Sequence, residues 1–92
     1  MLPLSEKIGF KTELQKGNRV QIPKKVRWRF KMDTKQLLKV TVNAVNTYTG
    51  GWQSFYAKMG EDGRITIPKL QRFLLLEDEY ARYVMDVILE PA

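Results

Sequence analysis

Residues 19–24 read Arg-Val-Gln-Ile-Pro-Lys, and residues 64–69 read Arg-Ile-Thr-Ile-Pro-Lys. An offset of 45 carries Arg19 onto Arg64, Val20 onto Ile65, Ile22 onto Ile67, Pro23 onto Pro68, Lys24 onto Lys69 and Arg27 onto Arg72. Phe30 falls on Leu75 and Asp33 on Asp78. A chain of 92 residues has room for two such units and little more. Each unit is too small to bury its own apolar face, so the two are expected to form one compact domain over 1–92. The first repeat covers 10–45 and the second 55–91.

Both units parse alike. Phe10 to Leu14 and Phe55 to Met59 are short mixed runs that suit strands. Gly17-Asn18 and Asp62-Gly63 follow, pairs that suit tight turns needing positive φ. Arg19 to Ile22 and Arg64 to Ile67 then alternate polar and β-branched apolar residues, as half-buried strands do. Pro23 and Pro68 stop those strands, because proline has no N–H for the ladder, and proline suits a helix start. Lys24 to Lys31 and Lys69 to Leu76 are expected as short helices, and Leu37 to Val42 and Tyr83 to Leu89 as closing strands. Thr49-Gly50-Gly51 is the expected turn or linker between the units. The fold class expected is mainly β with two short helices.

The strings Gly-Asn-Arg-Val-Gln-Ile-Pro-Lys-Lys-Val-Arg (17–27) and Asp-Gly-Arg-Ile-Thr-Ile-Pro-Lys (62–69) resemble the core motif of the AbrB/MazE-like swapped-hairpin family. The likeness covers about residues 10–42 and 55–91. It implies a swapped-hairpin β-barrel built from two βαββ-like repeats, closed within one chain as a pseudo-dimer or between chains. It also implies a DNA-binding transcription regulator or an antitoxin, with arginines beside the turn and on the helix contacting DNA. By position those are Arg19, Arg27, Arg64 and Arg72. Two departures stand out: Asn18 separates Gly17 from Arg19, and Gln71 occupies a helix position that is usually apolar.

Charge bears on function independently of the family. Residues 1–45 hold eleven Lys/Arg and three Asp/Glu, a balance of +8; residues 46–92 hold five and seven, a balance of −2. The net +6 therefore sits entirely in the first half, which points to a localised face for a polyanion. At about 100° per residue, Val26 and Phe30 share one stripe of the first helix. Lys24, Arg27 and Lys31 lie on one flank of it, with Lys25 and Arg29 on the other. Five cations in eight residues suit a phosphate-binding helix, and a solvated surface helix is the plainer reading. Lys11 and Lys16 complete the candidate contact set. Trp28 is expected to be partly buried, with a place along the DNA backbone as the alternative. Trp52 and Tyr48 flank the Gly-Gly turn, where cross-strand packing is favoured over base stacking.

The second helix replaces Lys25 with Leu70, Arg29 with Leu74 and Trp28 with Phe73. Leu70, Phe73 and Leu74 are the candidate patch for pairing chains or binding a protein partner. Glu77, Asp78 and Glu79 read as a solvated loop rather than a metal site. With no His and no Cys, the chain offers no disulfide, no Cys/His zinc site, no thiol nucleophile and no Ser-His-Asp triad. No cofactor, metal or enzymatic activity is expected. No apolar run reaches the roughly 20 residues of a membrane span, and no signal-peptide pattern opens the chain, so a cytoplasmic, nucleoid-associated protein is expected. The expected function is transcription regulation through double-stranded DNA, with a homo-oligomer as the working assembly. A DNA-coating chromatin-type protein and a toxin-binding antitoxin-like repressor are the alternatives.

Overall fold

A computed structural model describes residues 6–45, 51–75 and 83–92, apart from the side chains of Phe73 and Leu75. The first repeat contributes β1 (Ile8–Gln15), β2 (Arg19–Gln21), α1 (Lys24–Arg29) and β3 (Leu38–Ala44). The second contributes β4 (Gln53–Ala57), β5 (Arg64–Thr66), α2 (Lys69–Leu75) and β6 (Val84–Pro91). The fold is mainly β with two short helices, as the alternation and the two prolines imply. The strand limits move by at most two residues, and the first helix ends at Arg29 rather than Lys31. Tyr48, Thr49, Gly50, Leu76, Glu77, Asp78 and Glu79 lie outside the described residues.

The strand order is β4-β3-β6-β1-β2-β5, with every pairing antiparallel. The repeats interlock: β1 pairs with β6 and β3 with β4, so each unit's first strand is closed by the other unit's last. The short strands β2 and β5 meet with Val20 opposite Ile65. Two further bonds extend that ladder symmetrically, Ile22 N–H to the Gly63 carbonyl (2.9 Å) and Ile67 N–H to the Asn18 carbonyl (2.8 Å). Inward positions alternate as a half-buried sheet requires. Leu38, Val40, Val42 and Ala44 of β3 face the core with Met85, Val87 and Leu89 of β6 and Val20, Ile22, Ile65 and Ile67 of the crossing.

The two interlocks differ in register. Ile8 lies opposite Leu89, while its repeat equivalent Gln53 lies opposite Val42. The offset between closing strands is thus 89 − 42 = 47, against 45 for the earlier elements. The second unit carries two extra residues between α2 and β6. A slip of two keeps every side chain on its own face, so the core pattern conceals it.

Helix α1 is short because its end is built in. Lys31 adopts φ +49; its N–H bonds to the Trp28 carbonyl (3.3 Å) and the Met32 N–H to the Arg27 carbonyl (3.0 Å). That pair of bonds closes a Schellman motif around Phe30 as C-cap, with a lysine where glycine is usual. Pro23, at ψ 140°, is the N-cap residue rather than the first helical one.

Candidate nucleic-acid interface

The basic residues fall into two groups. The first belongs to α1 and its C-terminal turn. Val26 and Phe30 are half-buried against the core, so the opposite face of the helix carries Lys24, Lys25, Arg29 and Lys31 into solvent. None of these four is in an ion pair among the described residues. Lys24 Nζ lies 4.8 Å from the ring centre of Trp28, and the Arg29 guanidinium 5.4 Å from that of Phe30. The expected partial burial of Trp28 is corrected: the side chain is 70% exposed. On a six-residue helix whose inner face holds only Val26 and Phe30, position 28 has no core to reach. An exposed indole therefore stands among four cations that have no ion-pair partner among the described residues.

The second group surrounds the β2–β5 crossing. Arg27 donates Nε–H to the Ile22 carbonyl (3.1 Å), and its guanidinium lies over Gly63, where a built Cβ would stand 2.6 Å from Cζ. Arg72, its repeat equivalent, donates Nε–H to Asn18 Oδ1. Asn18 is in turn the equivalent of Gly63, and both hold positive φ, +59 and +78. Each helix thus lays its arginine across the other unit's turn. Arg64 is engaged too, by Asp62 Oδ2 (2.9 Å) and Gln15 Oε1 (2.6 Å). Arg19 is exposed, bonds weakly to the Lys16 carbonyl (3.4 Å) and lies 4.0 Å from Asp62. The hydrogen bond from the Arg64 side chain holds the Asp62 carboxyl below its ordinary 3.8. Asp62 is a carboxylate set between two of the arginines named by the motif, where the first repeat has Gly17.

Of the sequence-named cations, the structure brings together Lys24, Lys25, Arg27, Arg29 and Lys31 on α1 and its turn, with Lys16 exposed beside Arg19 at the hairpin turn. Lys11 lies opposite Asp86 across β1 and β6, at 3.8 Å. Arg27, Arg64 and Arg72 have protein partners that link the two units. The sequence reading missed that linking role. Its only signal was the departure at Asn18, which supplies the acceptor Gly63 cannot. On α2, Leu70 is 63% and Leu74 45% exposed, and the side chain of Phe73 lies outside the described set.

No helix among the described residues is long and apolar enough to cross a membrane. No family model and no curated protein matches the chain. Among solved structures, the chain is similar to the solution structure of PHS018 from Pyrococcus horikoshii, at 22% identity and a TM-score of 0.75 over 99% of this chain and 94% of that one. At that identity the likeness establishes the fold, a curled, mainly β sheet with two short helices shared over nearly the full length of both chains.

Proposed function

We propose that this chain is a duplex-DNA-binding regulator of the AbrB/MazE-like swapped-hairpin type, contacting DNA through its first repeat. The observation that carries the reading is α1, where Lys24, Lys25, Arg29 and Lys31 are exposed and free of ion pairs among the described residues. Duplex DNA carries one charge per ~1.7 Å of axis, and cations that neutralise it release counterions. Lys16 and Arg19 are exposed at the first hairpin turn, which Arg72 of α2 rather than α1 overlies, and add to the charge of the first repeat. Arg64 and Arg72 contribute less, because Asp62, Gln15 and Asn18 already occupy them.

A second copy of the chain is the partner that exposed Leu70 and Leu74 support. One chain presents one basic helix, so pairing through α2 gives a dimer with two. A gel-shift salt titration tests the DNA reading. Affinity should fall linearly in log salt, and Lys25→Ala and Arg29→Ala should each reduce the slope by about 1. If no duplex of any sequence is retained at ~50 mM salt, the proposal is wrong. Competition with random-sequence duplex separates a regulator from a coating protein.

A further inference from the structure

The outer face of the sheet holds an open groove of about 370 Å³, bounded by Gly9, Lys11, Trp52, Asp86 and Ile88. Glycine in a strand interior weakens the strand, and it often marks a place where something approaches the backbone closely. The backbone does not require it at position 9, whose φ is not positive. Nor does crowding: a Cβ there would meet only the Val87 carbonyl oxygen at 3.7 Å and Ile88 Cγ1 at 3.9 Å, ordinary contacts. What Gly9 provides is an open floor over Ile88, its cross-strand partner. The wall is Trp52, whose side chain is half exposed. At one end Lys11 Nζ and Asp86 Oδ1 stand 3.8 Å apart, a donor-only group beside an acceptor-only group.

We infer that this groove is a site for an unpaired nucleobase, stacked on Trp52 over Gly9 and Ile88 with its hydrogen-bonding edge on Lys11 and Asp86. Adenine presents the complementary pair, the N7 acceptor beside the N6 amino donor. Aromatic stacking is tolerant of base identity and changes affinity by roughly 5- to 150-fold per base. A base within a duplex keeps its faces stacked on its neighbours, so the site takes either a free nucleotide or a base of a single strand. It shares no residue with α1, but Gly9 also borders the groove beside Lys25 and Arg29, so the mononucleotide titration rather than the Gly9 variant separates this site from the duplex reading.

The test follows Trp52 fluorescence in a Trp28→Phe protein titrated with adenosine monophosphate, and separately with a short single-stranded oligodeoxyadenylate. Saturable quenching by the mononucleotide assigns a free nucleotide, and quenching by the oligomer alone assigns a strand. Gly9→Val, which fills the floor without backbone strain, should weaken binding at least ~10-fold by removing the stacking place. Its Tm should not fall, since valine suits a strand interior better than glycine. Lys11→Met, at an exposed side chain, should weaken binding without touching the fold. Three results overturn the site: no quenching by either probe up to ~5 mM, unchanged affinity in both variants, or equal quenching by ribose 5-phosphate.

Discussion

Replacing Gly63 with alanine tests whether the two repeats are locked by their arginines. Gly63 holds φ +78, a conformation that costs an L residue about 1–2 kcal/mol. The new Cβ would lie 2.6 Å from Cζ and Nη1 of Arg27, closer than atoms tolerate. The guanidinium is the end of a flexible side chain and can move. Moving gives up its bond to the Ile22 carbonyl, about 1 kcal/mol. The sum is about 2–3 kcal/mol, which in a domain of this size lowers Tm by roughly 10–20 °C. Thermal unfolding followed by circular dichroism measures it. In an Arg27→Ala background the same change should cost only the backbone part, a coupling of about 1 kcal/mol. Gly63→Asn, which copies Asn18, should cost less than Gly63→Ala, because asparagine tolerates this backbone region. A Gly63→Ala protein melting within ~3 °C of the original, or an equal cost in both backgrounds, would refute the lock.

Three further outcomes are expected. Lys31→Gly relieves the left-handed strain at the end of α1 and should raise stability by up to about 1 kcal/mol, while weakening duplex binding through the lost cation; calorimetry and gel shift read the two effects separately. Leu70→Glu with Leu74→Glu, at exposed positions, should leave Tm nearly unchanged and convert any dimer to monomer by light scattering; an unchanged mass rules out α2 as the pairing face. Asp62 titrates below its ordinary value in the folded protein, so its stabilising contact is complete above that ordinary value of 3.8 and is lost as pH falls below it. Asp62→Asn should flatten that acid limb and tighten duplex binding by releasing Arg19 and Arg64.

The parts of the fold visible in the sequence are those written locally. The β-branched alternation of Arg19 to Ile22, the turn glycines and the prolines after each Ile act within a few residues, and the repeat confirms each reading with a second copy. Val26 and Phe30 face the core as their spacing requires. What was hidden depends on contacts far along the chain. Arg27 reads as a free cation until the fold places it over Gly63, 36 positions away. Trp28 reads as partly buried until the helix proves too short to offer it a core. The shift from 45 to 47 leaves no mark, since either offset puts apolar residues opposite apolar ones. In the candidate interface, Lys24, Lys25, Arg29 and Lys31 were legible because no ion-pair partner intervenes among the described residues, while the engagement of Arg27, Arg64 and Arg72 was not, because Gly63, Gln15 and Asn18 come from the other repeat.

The strand order has a consequence for how the chain is made. β6 lies between β3 and β1, yet it is the last of these strands to leave the ribosome. Until it emerges, β3 with β4 and β1 with β2 and β5 share no strand pairing among the described residues, and each has an open edge where β6 belongs. At ~5–20 residues per second, that exposure lasts seconds in every round of synthesis. Folding is then a single late step in which one strand inserts between two waiting edges. A stop codon before Val84 would therefore leave two sheet fragments that no strand pairing joins, instead of a slightly smaller sheet.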